Sequence, residues 1–180
     1  MGVVDRLPFP FPGHCEPSGL THSVVGMRLR RIYISADHTY FGHHGKPPGT
    51  TPMLRVPEVQ CVTGKGLQGD RFFDYKPDYK GQATLFSWSV YESLCTQFDL
   101  FGIEPDVFRR NLLVSEVDLS MLIGEEFELQ GVRLLGTQEA APCYWMNQAV
   151  AEGAEEAMQG NGGLRVKILS DGLLREESVA

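Results

Sequence analysis

The sequence predicts a mostly β protein of the α+β kind: a closed or curled β-barrel-like sheet with a few peripheral helices. Two observations carry this. Short apolar runs of strand length outnumber helical ones, and turns rather than regular crossover helices separate them, which disfavours a doubly wound α/β sheet.

In chain order, residues 1–26 hold Pro8, Pro10, Pro12, Pro17, Gly13, Gly19 and Gly26 with little apolar periodicity. They are expected to form a flexible N-terminal extension before a single domain over 27–175. Met27 opens the first strand, running to Ser35, and could itself be the translational start. The Gly/Pro-rich stretch from Asp37 to Gly49 is a loop. A second strand follows over Leu54 to Val62, with Pro57 marking an edge or bulge because proline cannot donate to a ladder. Thr63 to Arg71 is another glycine-punctuated loop, and Gln82 to Phe86 a short strand. The clearest helix starts near Ser89, whose spacing to Glu92 fits a capping box, and buries Tyr91, Leu94, Cys95 and Phe98 at i, i+3, i+4, i+7. Short strands resume over Asn111 to Ser115, Glu126 to Leu129, Val132 to Thr137 and Leu164 to Ser170, the middle two joined at Gln130-Gly131. A second helix is expected around Val150 to Met158.

At 180 residues the chain suits one well-buried domain. Its 42% hydrophobic and 22% charged residues are those of a soluble globular protein, without an apolar run near the ~20 residues that span a bilayer. The net charge of −7, from 16 basic and 23 acidic residues, repels nucleic acid. Cys15, Cys61, Cys95 and Cys143 lie far apart with no C-x-x-C pair and no secretory signal before them, which fits free thiols in a reducing cytoplasm. The expected setting is therefore cytoplasmic, with neither membrane nor nucleic acid as partner.

Several motifs carry possible chemistry. Gly64-Lys-Gly-Leu-Gln-Gly-Asp-Arg71 lacks the spacing and Lys-Ser/Thr ending of a nucleotide P-loop. Its glycines would let backbone amides approach an anion, with Lys65 and Arg71 supplying charge; a sharp turn with local hydrogen bonds is the alternative. Phe41-Gly-His-His-Gly-Lys46 is a poor metal clamp, since adjacent histidines on an extended chain face opposite ways. His43, His44 or Lys46 could still serve an anion or a proton transfer, or be solvated. In Phe108-Arg-Arg-Asn111, Arg109, Arg110 and Asn111 can hold a planar acceptor group or a phosphate, or make structural ion pairs. Along Leu164 to Ile168, alternation puts Leu164, Val166 and Ile168 on one face and Arg165 and Lys167 on the other, which is either solvent or a polar site.

Cys143 stands apart. A strand-like run breaks through Ala140, Ala141 and Pro142 to present this one thiol beside Tyr144 and Trp145. A buried inert cysteine is one reading. Papain-like catalysis would want a histidine base, yet all five histidines precede residue 45 and none sits in a partner motif. A thiolate can instead be the single protein ligand of a metal already chelated by an organic cofactor.

Taken together, these segments resemble the MOSC domain, the family named for the C-terminal domain of molybdenum cofactor sulfurases. The resemblance rests on the early strand ending Ile-Ser, Gly-Leu-Gln-Gly-Asp-Arg (66–71), Phe-Arg-Arg-Asn-Leu-Leu-Val-Ser (108–115), Leu-Ile-Gly-Glu-Glu-Phe-Glu-Leu (122–129), Pro142-Cys143 and Gly-Gly-Leu-Arg (162–165). It spans Met27 to about Gly172. It implies a β-barrel-like fold that binds a molybdopterin-type molybdenum cofactor, with Cys143 as molybdenum ligand or sulfur carrier. It further implies Lys65, Arg71, Arg109, Arg110 and Arg165, with Asn111 beside them, as holders of pterin and phosphate. The chain shows neither a pyridoxal-phosphate desulfurase module nor a cysteine cluster for iron–sulfur binding. A reductase of N-hydroxylated small molecules, such as a hydroxylaminopurine or amidoxime, would thus need a separate electron donor protein. A carrier of sulfur as a Cys143 persulfide would need a cysteine desulfurase, and a non-catalytic module would only bind or deliver the cofactor.

Overall fold

Strand alternation builds the layers. In the computed structural model, which describes residues 22–23, 26–39, 47 and 49–178, the chain runs β1 (His22–Ser23), β2 (Arg28–Ile34), β3 (Leu54–Arg55), β4 (Glu58–Val62), β5 (Gly66–Leu67), β6 (Ala83–Ser87), α1 (Trp88–Gln97), β7 (Leu112–Ser115), β8 (Glu126–Leu129), β9 (Val132–Glu139), α2 (Trp145–Ala149), α3 (Ala154–Ala157), β10 (Leu164–Ile168) and β11 (Gly172–Arg175). Short 3-10 turns lie at Pro105–Phe108 and Leu119–Leu122. The extension expected over 1–26 lies outside the described residues, apart from Gly26 and from β1, which pairs in parallel with β8. The His43/His44/Lys46 segment also lies outside them.

Eight strands hydrogen-bond in the order β1-β8-β9-β10-β6-β7-β2-β3, and three more in the order β11-β4-β5. One face of the large sheet sends Leu29, Leu85, Leu112, Leu134, Val166 and Ile168 into a core shared with Val59, Cys61, Leu67 and Leu174 of the small sheet. Its other face sends Tyr33, Phe86 and Leu113 into a second core with Leu94 of α1, Trp145 and Met146 of α2 and Ala154 of α3. The molecule is thus mostly β with helices on one side, as expected.

The expected barrel is not found. Among the described residues the large sheet ends at β1 and β3, and a second sheet packs over it instead. Pro57 supplies the physical reason. It lacks an N–H and divides the single strand expected over 54–62: β3 stays paired with β2, while β4 turns into the small sheet beside β11. A second difference is that β6 and β7 are parallel, joined by a crossover through α1 that turn-counting does not reveal.

Two helix expectations also change. Helix α1 starts at Trp88 with Ser87 at its N-cap, and no side chain caps it. Glu92 accepts from Trp88 Nε1 at 2.7 Å. Only Leu94 of the expected stripe is buried outright; Tyr91 and Phe98 pack partly, and Cys95 is half-buried. The helix expected over 150–158 is found only as the short α3, which starts after Gly153 (φ +86°), and a further short helix, α2, lies just before that range.

Candidate functional site

Four loops and strand β10 converge on the helix-covered face of the large sheet, where they line a pocket of about 150 Å³. His38 and Thr39 follow β2; Arg71, Phe72 and Tyr79 come from the segment between β5 and β6; Arg109 and Arg110 precede β7. Ala140, Ala141 and Cys143 follow β9, and Arg165 projects from β10. The alternation read from β10 therefore resolves into two uses of one face. Arg165 lines this pocket, and Lys167 pairs with Asp78 at 2.5 Å near the surface.

The two consecutive arginines part because the backbone turns between them. Arg109 adopts the left-handed conformation (φ 53°, ψ 40°) after the 3-10 turn. Its guanidinium donates to Thr51 O at 3.1 Å, and to Ser35 Oγ and Asp37 O at 3.2 Å. Arg110 turns the other way and donates to Gly162 O and Ala140 O at 2.8 Å and to Phe108 O at 3.0 Å. Gly162 fits because a Cβ there would meet Ala140 O at 2.5 Å and Pro142 Cδ at 2.7 Å. Arg110 thereby ties the start of the Cys143 loop to the turn before β10. Burial pushes its pKa down to about 10, opposed chiefly by the nearby Cys143 sulfur. Arg110 thus binds backbone oxygens, and Arg109 binds two backbone oxygens and the Ser35 hydroxyl.

Arg71 is held by a buried carboxylate. Asp70, whose side chain is fully buried, accepts from Ser35 N (3.1 Å), Phe72 N (3.1 Å), Asn111 Nδ2 (3.0 Å) and Arg71 Nη1 (3.4 Å). It joins the end of β2, the glycine loop and the start of β7. The Arg71 guanidinium also lies over the Phe72 ring, 4.8 Å from its centroid. Burial lowers its pKa, with Asp70 opposing. His38 meets Phe72 edge-on at 4.8 Å, and its pKa is lowered by burial first and by Arg71 second.

Of the sequence candidates, Cys143, Arg71, Arg109, Arg110 and Arg165 meet at this pocket. Cys143 is exposed rather than buried, which disfavours the inert-thiol reading. Among the described residues the Arg165 guanidinium makes no hydrogen bond or ion pair, so its charge is open to a ligand. Asn111 and Lys65 do not line the pocket. Asn111 is wholly buried behind it, bonding Thr84, Tyr33 O and Asp70. Lys65 is exposed and 3.4 Å from Asp74. Trp145, two residues after Cys143, packs in the core, and Phe72, Tyr79 and Phe108 supply the phenyl rings of the pocket. Sequence reasoning missed His38, Phe72 and Tyr79. His38 lies close after the strand ending Ile-Ser and Phe72 directly after Gly-Asp-Arg, which was the available signal; none marked Tyr79. A larger cavity of about 500 Å³ lies at the far end of β6, lined by Ser87, Asp118 and Glu139 among others, and holds none of the sequence candidates.

The family model for the MOSC domain matches residues 43–175. The chain belongs to the MOSC-domain family. Several solved structures share the fold. The YuaD protein from Bacillus subtilis matches with a TM-score of 0.63 at 16% identity, over 83% of this chain and 91% of that one. YiiM from Geobacillus stearothermophilus matches with a TM-score of 0.57 at 13% identity, over 83% and 71%. YiiM from Escherichia coli gives 0.53 at 21% identity, over 81% and 65%. No curated protein matches the sequence significantly.

Proposed function

We propose that this MOSC protein binds a molybdopterin-type molybdenum cofactor in the Cys143 pocket and reduces N-hydroxylated small molecules, with Cys143 as the protein's metal ligand. The observation that carries the reading is the meeting of one exposed thiol with Arg71, Arg109, Arg110 and Arg165 in a single pocket. That donor set suits an anionic cofactor that brings its own chelating sulfurs. Among the described residues no group of three or more His, Cys, Asp or Glu side chains could hold a metal ion, so a metal here relies on donors of the cofactor.

When bound, such a cofactor supplies two-electron redox chemistry. The rest falls to the chain. Arg165 offers an open guanidinium fork to phosphate. Arg110 and Arg109 hold the loops that shape the pocket. Phe72 and Tyr79 give flat apolar walls that exclude water and stack on a planar group. His38, kept largely neutral near pH 7 by its lowered pKa, can both accept and donate a proton at its imidazole.

The experiment is molybdenum and pterin content of protein purified from a host that makes the cofactor, wild type beside Cys143→Ser. Stoichiometric metal lost in the variant supports the reading. Cofactor missing from both moves the assignment to a sulfur carrier, a second reading favoured by the solvent exposure of the Cys143 thiol. Mass spectrometry after incubation with a cysteine desulfurase would then show one added sulfur at Cys143. Cofactor bound without turnover or persulfide would mark a delivery module.

A further inference from the structure

Away from the pocket, strand β2 carries an irregularity with a consequence at the surface. Its register with β7 shifts between Leu29 and Arg31, a β-bulge, and bulges re-aim side chains. Arg31 shares the face of Tyr33 by alternation, and the bulge brings Arg30 to the same side. Both guanidinium groups end on one indole: Arg30 Cζ lies 5.0 Å and Arg31 Cζ 5.6 Å from the ring centroid of Trp88.

Among the described residues neither arginine has an ion pair, and Arg30 Nε is buried with no hydrogen-bond partner. Arg31 Nη1 donates to the Arg30 carbonyl at 2.8 Å. At short range Glu116 pairs with Arg28 at 3.6 Å, Glu176 with Arg55 at 2.6 Å and Glu92 with the Trp88 N–H, while Glu176 feels Arg31, and Tyr33 feels Glu104, Asp106 and Arg31, only through longer-range charge. Two like charges on one aromatic ring repel each other, and contact with the ring offsets that only in part. On a chain of net charge −7 this makes a half-buried, locally positive platform that attracts an anionic surface.

The platform also leads inward. Ring centroids run Trp88 to Tyr91 at 5.1 Å and Tyr91 to Phe108 at 6.2 Å, and Phe108 lines the Cys143 pocket. We propose that Arg30, Arg31 and Trp88 dock an acidic one-electron carrier protein, whose electrons reach the pocket through the packed Trp88–Tyr91–Phe108 contacts. This rests on the reductase reading. Reducing one hydroxylamine follows R–NHOH + 2e⁻ + 2H⁺ → R–NH₂ + H₂O: the N–O bond breaks, its oxygen leaves as water, and two carrier molecules are each oxidised by one electron. The aromatic rings stay closed-shell and serve as a dense medium between the two sites. A carrier that must dock and leave twice per turnover favours a small, charge-steered interface.

The test uses the full-length, cofactor-loaded protein with two acidic probes, a [2Fe–2S] ferredoxin and a flavodoxin, titrated by calorimetry at low ionic strength. Binding of at least one carrier is expected, weakened about tenfold or more by added salt and by Arg30→Glu/Arg31→Glu. Carrier-driven reduction should fall in parallel while methyl viologen-driven reduction stays at the wild-type rate. If the double variant does not fold, Arg30→Gln/Arg31→Gln replaces it. Wild-type protein that binds neither carrier, or a variant that binds as wild type does, overturns the proposal. If dye-driven reduction is absent in loaded wild type, the reductase reading fails instead, and the titration still decides whether the platform docks carriers.

Discussion

Arg110 and Arg165 line the same pocket but have different work, which a substitution should separate. Arg110 satisfies three backbone carbonyls from inside the protein, so Arg110→Met strands them and should cost about 2–4 kcal/mol in urea unfolding. Arg165→Met should change stability by no more than ~0.5 kcal/mol, yet weaken binding of pyrophosphate, a stand-in for the phosphate of the proposed cofactor, about tenfold by calorimetry. The reverse pattern would exchange their roles. From the sequence both were basic residues beside a glycine or an asparagine. Which of them faces a ligand depends on where the carbonyls of Phe108, Ala140 and Gly162 lie, and those come from three separate segments. Asn111 shows the same limit, since its amide serves Asp70 and Tyr33 O rather than the pocket.

Elements follow local rules until a neighbouring element overrides them. The β8–β9 hairpin was legible because Gln130 and Gly131 both take positive φ (50° and 82°), as a two-residue hairpin turn requires. β9 then passes under the 3-10 turn so closely that a Cβ on Gly136 would strike the Leu122 carbonyl. Gly136→Ala should therefore destabilise the fold by about 2 kcal/mol or more, read as a lowered midpoint in urea with β-sheet circular dichroism retained. Nothing local to residue 136 announces this, because the partner carbonyl lies across the fold. The capping box at Ser89 failed for a similar reason: Glu92 has the required spacing, but the indole of Trp88 occupies it first.

At the scale of the whole molecule, burial of neutral acids sets an alkaline limit. Burial pushes the Cys61 thiol from 9.0 to about 12. Tyr33 rises from 10.0 to about 12 by burial and then by Glu104, and Tyr91 from 10.0 to about 12 by burial and then by Cys95. Each raised acid favours the folded state while neutral, so its contribution is full below the ordinary value and is lost as pH climbs towards the folded one. Stability should fall steeply from about pH 9 towards pH 12 in equilibrium unfolding. Cys61→Ala should flatten that slope between pH 9 and 10, leaving the tyrosine part. His38, lowered by burial and Arg71, acts at the other end: its contribution is full above its ordinary value of 6.5 and shrinks as pH falls through the lowered one. No described helix is long and apolar enough to cross a membrane.

The sequence by itself determined the mostly β class, the hairpin at 130–131, the alternation of β10, and the family through the order of its motifs. It also singled out Cys143 and the arginines around it, because residue type and spacing are local properties. Only the tertiary structure decided that Pro57 sends the chain into a second sheet, that Asn111 and Lys65 stand outside the pocket, and that His38, Phe72 and Tyr79 belong to it. Those outcomes depend on contacts between segments far apart in the chain, for which no local pattern carries information.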